Sequence, residues 1–308
     1  MTGPAGDGFV RYLAAKKSVD DRALSGHVLK SLDAALKACG PGLKVLEVGA
    51  GIGTMLERLV DRGILADARY EGIDSAPCLV AEARRRVPTW ARDRGFTVAE
   101  GAASAIRLER GSSCICARFE TADLYEFIDR NRGRRRWDLL LANAFLDLVD
   151  LPRALPGLIA LAEPGGLLSL TMNFDGMTIL EPPVEPALDR EILTLYHQTM
   201  DGRVVDGRPS GDSRTGRHLL TRLREMGVLT LAAGSSDWVL YPGSDGYPGD
   251  EAYFLHYLID LIFASLKDHP ALDPGRLASW MGIRHAQIER AEMVFIAHQL
   301  DILGRVAG

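Results

Sequence analysis

Residues 43–55, which read LKVLEVGAGIGTM, constrain the fold of this chain more than any other part of the sequence. The segment has a short apolar run ending in the acid Glu47, glycines at positions 49, 51 and 53, and a helical pattern from Thr54. Glycine lets the backbone turn sharply and approach a ligand closely, and the first N–H groups of a helix are free to donate. A strand, a glycine turn and a helix in this order predict a cradle for a nucleotide-like ligand.

The spacing of the glycines separates two kinds of nucleotide site. The dinucleotide fingerprint GxGxxG would put its third glycine at position 54, but this chain has Thr54 there and Gly53 one residue earlier. The pattern Glu-x-Gly-x-Gly-x-Gly over residues 47–53 resembles the first motif of class I S-adenosylmethionine-dependent methyltransferases. The resemblance implies a methyltransferase with S-adenosylmethionine as cofactor and S-adenosylhomocysteine as product. An NAD-dependent oxidoreductase is an alternative that the early third glycine counts against.

Apolar runs alternate with helical periodicities after residue 40, which predicts a parallel sheet with helices on both faces. With the resemblance, the expected fold is α/β: a Rossmann-like seven-stranded methyltransferase sheet, mostly parallel, with an antiparallel last strand. Residues 104–109 and 113–119 are predicted to form a hairpin-like extension before the third core strand ends. Residues 293–303 alternate in hydrophobicity and are predicted to be the last strand, with a terminal helix as the alternative.

Three segments of one domain follow from this pattern. Residues 1–40 are predicted to form an N-terminal helical lid, and residues 41–175 the S-adenosylmethionine-binding core. Residues 176–308 are predicted to supply substrate-cover helices, at 186–200 and 251–290, and to complete the sheet. A length of 308 residues agrees with one large domain or a domain with an added part.

The composition argues against several classes of protein. The net charge is −5 and the pI about 5.8, whereas a dedicated nucleic-acid binder, such as an RNA methyltransferase, usually has a basic surface. The four cysteines lack metal-site spacing, so we expect no metal site and a reducing compartment. A signal-peptide pattern and an apolar run of ~18 residues are both missing, which predicts a cytoplasmic protein without a membrane segment.

Polar residues follow each of the five predicted core strands, and ligands of α/β proteins bind at the carboxyl ends of such strands. By the resemblance, the glycine loop lines the methionine part of the cofactor, and Asp74 binds the ribose hydroxyls. Asp123 recognises the adenine, and Asn143 lies near the transferring methyl group. Arg22 of the lid meets the cofactor's carboxylate. The expected cofactor-binding residues are Glu47, Gly49, Ala50, Gly51, Gly53, Asp74, Ser75, Asp123, Leu124, Asn143 and Arg22. Helix capping is the alternative role for Asp74 and Asp123.

The pattern defines the residues of the transfer step less sharply. A general base is needed only where the acceptor must lose a proton early, and the candidates are His197, Asp175, Tyr196 and Asp147. A lone helical histidine is more often structural. The loop that starts at Asn143 does not read Asn-Pro-Pro-Tyr or Asp-Pro-Pro-Tyr, which puts nucleobase and glutamine acceptors in doubt. The sequence leaves open whether the acceptor atom is oxygen, nitrogen or carbon.

The predicted substrate is a small molecule with an anionic group. Several arginines lie in or beside the long loop 201–215, and guanidinium groups recognise carboxylate or phosphate; a solvated loop is the alternative. The expected substrate-binding residues are Tyr12, Asp147, Arg203, Arg214 and Arg217. Two further hypotheses keep the cofactor without the transfer: a non-methylating enzyme, or a partner subunit. The apolar helix 251–268 packs in the core or forms a surface for a homodimer or a hetero-partner.

Overall fold

The computed structural model describes residues 6–101, 105–205 and 207–308. The elements as far as the fifth core strand are, in chain order, α1 (Asp7–Ala23), α2 (Gly26–Cys39), β1 (Leu43–Val48), α3 (Thr54–Asp61), β2 (Asp67–Asp74), α4 (Pro77–Asp93), β3 (Thr97–Glu100), β4 (Ile106–Arg110), β5 (Ser113–Thr121), α5 (Leu124–Asn131), β6 (Trp137–Asn143), α6 (Leu151–Leu161) and β7 (Ala162–Glu181). The remaining elements are α7 (Pro186–Asp201), β8 (Val204–Val205), β9 (Arg208–Pro209), α8 (Thr215–Glu225), β10 (Leu229–Ser235), β11 (Trp238–Leu240), α9 (Glu251–Leu266), α10 (Pro274–Glu289) and β12 (Val294–Arg305).

Ten strands form the main sheet within the described residues, in the order β3-β4-β5-β2-β1-β6-β7-β12-β10, with β11 also paired to β12. The five adjacent strands β5, β2, β1, β6 and β7 are parallel to one another. β12 runs antiparallel to both of its neighbours, β7 and β10. If the core strands β1, β2, β5, β6, β7, β10 and β12 are numbered 1 to 7 in chain order, the order in the sheet is 3-2-1-4-5-7-6. This is the arrangement of the class I methyltransferase fold. The predicted fold class and the predicted last strand are therefore confirmed.

This order differs from that of a dinucleotide-binding sheet. There the sixth strand lies directly beside the fifth, in the order 3-2-1-4-5-6. Here the last strand of the chain is inserted between them and runs in the opposite direction. The strand count exceeds the predicted seven because the hairpin β3–β4 extends one edge and β11 adds to the other. Residue 104, where a hairpin strand was expected to begin, lies outside the described residues.

The prediction that the fifth core strand ends before residues 173–175 is wrong. β7 continues to Glu181, and it pairs with β12 from Leu167 to Glu181 with two interruptions. The cause of the wrong prediction is an irregularity within the strand, at Met172. The φ of Met172 is +57°, and its N–H donates to the buried carboxylate of Asp301 at 2.8 Å. The ladder between the two strands shifts register between Leu170 and Asn173, where Met172 lies, and again between Phe174 and Thr178. Residues 173–175 are therefore strand residues beside a bulge.

Helices cover both faces of the sheet, and a third apolar cluster forms a cap beyond it. One face is packed by α2, α3 and α4, and the other by α5, α6 and α8. The cap joins α1, α7, α9 and α10 with the far ends of β7 and β12. Within the described part of this segment, residues 6–40, α1 thus belongs to the cap and α2 packs on the sheet. In the described ranges, no helix combines the length and apolarity that crossing a membrane requires.

Candidate active site

The glycine loop after β1 has the backbone conformation that its sequence predicted. Gly49, Gly51 and Gly53 all have positive φ, at 67°, 52° and 83°. A Cβ placed on Gly53 would lie 3.0 Å from Val87 and 3.3 Å from Phe119, so this glycine lets α3 pack closely against its neighbours. A loop of this kind cannot accept side chains at these positions without strain.

Asp74 at the end of β2 is fixed to this loop. Its Oδ2 accepts a hydrogen bond from the N–H of Gly51 at 2.9 Å, and its Oδ1 accepts one from the N–H of Ala76 at 2.9 Å. Burial raises the pKa of Asp74, although the carboxyl is still partly open to solvent. Each carboxylate oxygen can accept a second hydrogen bond. The group is thus oriented by the backbone and retains capacity for two hydroxyl donors.

The polar strand ends predicted from the sequence lie in one row along the sheet edge. Val48 is paired with Ile73 on one side and Ala142 on the other, and Asp74 is opposite Thr121. The residues that follow the strands β5, β2, β1 and β6 therefore share an edge. Three interstrand spacings of about 4.8 Å make this row about 14 Å long, which suits an extended nucleotide-like ligand.

Asp123 and Asn143 stand at the two ends of this row. Oδ1 of Asp123 accepts from the N–H groups of Tyr125 and Glu126 at 2.8 and 3.1 Å, which makes it the N-cap of α5. Its Oδ2 makes no hydrogen bond within the described residues. Oδ1 of Asn143 accepts from the hydroxyl of Thr171 at 2.8 Å. One oxygen of Asp123 therefore caps the N-terminus of α5, and the other oxygen is free to accept a hydrogen bond from a ligand.

The remaining predicted loop residues support this row from behind. Glu47 is 2% exposed, accepts a hydrogen bond from the hydroxyl of Tyr70, and has its pKa raised to about 8 by burial. Ala50 and Leu124 are buried, and Ser75 is exposed next to Asp74. The N–H of Ala50 donates to the carbonyl of Ile73 at 2.9 Å. Glu47 is thus a protonated core residue near neutral pH, beneath the loop.

Two apolar side chains cover the loop from above. A Cβ placed on Gly49 would lie 2.3 Å from a ring carbon of Phe145, so this ring rests directly on the glycine backbone. A Cβ placed on Gly51 would lie 3.5 Å from Leu13 of α1. The contact of Leu13 thus places part of α1 against the glycine loop. Phe145 follows Ala144, a non-glycine residue with a φ of +49°.

Ion pairs with α3 and α9 anchor α1 in this position. The buried guanidinium of Arg58 in α3 lies 3.7 Å from the carboxylate of Asp20, which Lys16 of α1 also contacts, and it pairs with the neighbouring Asp21. Arg22 forms a two-point pair with Glu251 of α9, at 2.5 and 2.8 Å. The guanidinium of Arg22, predicted to meet the cofactor, is therefore engaged by the cap.

A second group of predicted residues gathers between α1, α7 and the loop after β6. Tyr12 and Tyr196 belong to the cap cluster, and burial raises the pKa of both phenols, with a smaller contribution from the field of the Asp147 carboxylate. Burial raises the pKa of Asp147 to about 6, and that of Tyr196 to about 12. The sequence predicts that Tyr12 and Asp147 bind the substrate and that Tyr196 is a candidate general base, and the structure brings these three residues together.

The other predicted residues are held by different partners. Both oxygens of Asp175, which is 4% exposed, accept from Arg217, at 2.9 and 3.1 Å from its Nε. Nε2 of His197 lies 3.0 Å from the hydroxyl of Thr178, and burial lowers the pKa of His197. Arg214 is exposed at the start of α8. Nε of Arg203 donates to the carbonyl of Ser210 at 2.8 Å, so the loop arginines do not converge on one point.

Sequence reasoning missed three residues of this region: Phe145, Leu13, and Tyr257 of α9, whose ring stacks on that of Tyr12 with centroids 4.4 Å apart. Phe145 stands in the polar strand-end segment 143–147, where an aromatic residue was the signal available. Leu13 and Tyr257 lie on amphipathic helices whose apolar faces read as core. Their placement depends on packing between elements that are far apart in the chain.

Comparison with known proteins finds only distant matches. No protein-family model matches the sequence, and no curated protein does. Among solved structures, YjhP from E. coli is 14% identical, covering 96% of this chain and 99% of that one, with a TM-score of 0.45. A SAM-dependent methyltransferase from Thiobacillus denitrificans, in complex with S-adenosyl-L-homocysteine, is 15% identical, covering 91% and 92%, with a TM-score of 0.41. Magnesium protoporphyrin IX methyltransferase from Synechocystis, with bound SAH, is 19% identical, covering 68% and 76%, with a TM-score of 0.39. Likeness at this level does not carry a function to this chain.

Proposed function

We propose that this protein is an S-adenosylmethionine-dependent methyltransferase that acts on a small molecule. The observation that carries the proposal is the Asp74 carboxylate, which the N–H groups of Gly51 and Ala76 hold at 2.9 Å beside the glycine loop. It lies in a sheet whose last strand is inserted antiparallel beside the fifth core strand. The glycine register and the strand order favour this cofactor over a dinucleotide for independent reasons.

The residues along the sheet edge fit the parts of this cofactor. Asp74 would accept from the two ribose hydroxyls, since each of its oxygens has a second acceptor position. The free oxygen of Asp123 would accept from the exocyclic amine of the adenine. The backbone of Gly49 and Gly51 would face the methionine part, on the side where Phe145 and Leu13 now lie.

The chemistry requires positioning more than protein nucleophiles. The bound cofactor would supply a methyl group on a positively charged sulfur. The chain would hold the acceptor in line with that group and exclude water. With a pKa of about 6, Asp147 is largely ionised at neutral pH and can take a proton from an acceptor. Tyr12 and Tyr196 would form the walls that keep the acceptor next to this carboxylate.

Calorimetric titration of the full chain with S-adenosylhomocysteine tests the cofactor assignment. We expect binding, and a loss of about 5- to 150-fold in affinity for Asp74→Asn, the equivalent of one or two hydrogen bonds. Asp138→Asn is the matched control, because its carboxylate also accepts a backbone N–H, from Lys44 at 2.8 Å, but at the opposite edge of the sheet. Its affinity should equal that of the parent protein.

The remaining alternatives give different results in the same assay. Binding of NAD without binding of S-adenosylhomocysteine would assign the protein to the oxidoreductases. Binding of S-adenosylhomocysteine with no release of it from S-adenosylmethionine, across a broad panel of small acceptors, would indicate a non-methylating enzyme or a partner subunit.

A further inference from the structure

The side chain of Asp147 is half-buried, and one of its two carboxylate oxygens has no hydrogen-bond donor among the residues described. In the part of the chain that the structure describes, its Oδ1 is enclosed and has no hydrogen-bond partner. Buried polar atoms are satisfied in the great majority of cases, and the exceptions call for an explanation. Asp147 lies four residues beyond Asn143, in the loop after β6, and thus beside the row of cofactor-facing strand ends.

The two nearby cations are engaged by other groups. Lys16 donates to Asp20 at 2.6 Å, and Nε of Arg203 donates to the carbonyl of Ser210 at 2.8 Å. Both still contribute a favourable field at Asp147, against the opposing field of Asp212. The backbone N–H of Asp212 donates to the carbonyl of Asp147 at 3.4 Å, not to its side chain. Apart from a hydrogen bond from its own N–H, the carboxylate is therefore stabilised from a distance, and its Oδ1 has no direct partner in the described ranges of the chain.

Aromatic rings stand on the side of α1 and α9. The ring of Tyr12 stacks on that of Tyr257 with centroids 4.4 Å apart, and on that of Phe254 at 5.2 Å. The hydroxyl of Tyr257 is also buried without a hydrogen-bond partner among the described residues. Tyr196 joins the same cluster from α7.

We propose that this region, formed by Asp147 with Tyr12, Tyr196 and Tyr257, is a subsite for a protonated amine on the substrate. The proposal rests on the proposed function, since it names the class of molecule that the methyltransferase site accepts. A cation would donate to the free oxygen of Asp147 and so supply the partner that this oxygen lacks. A neutral group would leave this carboxylate without a charged partner, and an anion would be repelled by it. The substrate class therefore differs from the anionic one that the loop arginines suggested.

Three probes of similar size test the charge preference: benzylamine, benzyl alcohol and benzoate. Their affinities for the full chain are measured by ligand-observed NMR titration, with and without saturating S-adenosylhomocysteine. We expect benzylamine to bind at least about tenfold more tightly than either of the others. Asp147→Asn should weaken benzylamine about 10- to 150-fold, the loss of a charge-assisted hydrogen bond, and leave benzyl alcohol nearly unchanged.

Asp150→Asn is the matched control. It changes a carboxylate in the same loop that caps α6, and asparagine is an equally good cap, so probe binding should not change. A melting temperature measured without ligand shows whether Asp147→Asn is folded, and Tyr257→Phe gives a second test, with an expected loss of benzylamine affinity of severalfold. The selectivity of the parent protein needs no variant at all.

Benzoate binding as tightly as benzylamine would overturn the proposal, as would a folded Asp147→Asn protein with undiminished benzylamine affinity. These outcomes are separate from failure of the proposed function. A protein that binds S-adenosylhomocysteine but shows no preference for the amine retains its cofactor assignment and loses only the substrate class. A protein that binds the amine but not S-adenosylhomocysteine has the subsite and loses the methyltransferase assignment.

Discussion

Glu47 should make the stability of this protein fall as the pH rises through neutrality. Its side chain is 2% exposed and burial raises its pKa from 4.5 to about 8, although the hydroxyl of Tyr70 donates to it and Arg58 attracts the charged form. Between these two values the folded protein keeps a proton that the unfolded chain has released. The contribution of Glu47 is thus fully present below pH 4.5 and is lost by the time the pH has passed 8.

The size of the effect follows from the pKa difference. Within this window the free energy of unfolding contributed by Glu47 falls by about 1.4 kcal/mol per pH unit. From about pH 5.5 to about pH 7.5, the loss is therefore about 2.5 kcal/mol. Glu47→Gln removes the titration and retains an oxygen that can accept from Tyr70. The free energy of unfolding of the variant minus that of the parent should therefore rise by about 2.5 kcal/mol over the same pH range.

Urea unfolding at several pH values measures this difference, because contributions of all other groups cancel between the two proteins. Glu47→Met serves as a second variant, with a different offset in stability and the same slope against pH. A difference that stays flat from about pH 5.5 to about pH 7.5 would show that Glu47 is already ionised in the folded protein and refute the reasoning. A difference of the opposite sign would show that Arg58 outweighs burial.

Three further substitutions have expected outcomes. Asp301→Ala removes the acceptor for the N–H groups of Ser25 and Met172, both at 2.8 Å, and should cost about 2 to 5 kcal/mol in urea unfolding, with Asp301→Asn losing less. Gly49→Ala should lower the free energy of unfolding by about 1 to 3 kcal/mol and weaken S-adenosylhomocysteine binding, because the φ of Gly49 is +67° and the added carbon meets Phe145. The double variant Gly49→Ala with Phe145→Ala should regain part of the stability, and failure to do so would contradict the contact. Arg217→Met leaves a carboxylate that is 6% exposed without its ion-pair partner and should cost about 1 to 3 kcal/mol, with no change in S-adenosylhomocysteine affinity; a large loss of that affinity would place the pair in the site.

The core of the fold could be predicted because its signals are local. The glycine register at residues 49–53, the acid at the end of β2 and the continuous apolar run of β6 each fix one strand and its neighbours. The alternation at residues 294–302 identified the last strand in the same way. In each of these cases a few adjacent residues contain the whole argument, since strand and turn geometry depend on short-range sequence.

The site above the sheet could be predicted only in part, because its parts meet over long distances in the chain. Tyr12, Asp147 and Tyr196 were singly identifiable, but their proximity depends on how α1 and α7 pack. Asp175 and Arg217 had the right residue types for a site, and they pair with one another instead. The bulge at Met172 requires the buried carboxylate of a strand that lies 129 residues further on. Local sequence patterns do not predict contacts between residues that lie so far apart in the chain.

The length of β7 has a consequence for how ligands reach the site. Beyond the bulge, β7 and β12 continue as a paired ribbon whose residues Leu180 and Phe295 are part of the apolar interior of the cap. The cap is therefore joined to the main sheet by strand pairing, which ties α7, α9 and α10 to the sheet. α1 contacts the glycine loop through Leu13, and it is held by apolar packing in the cap and by ion pairs with Arg58 and Glu251. We therefore expect a cofactor to reach the glycine loop on the side of α1.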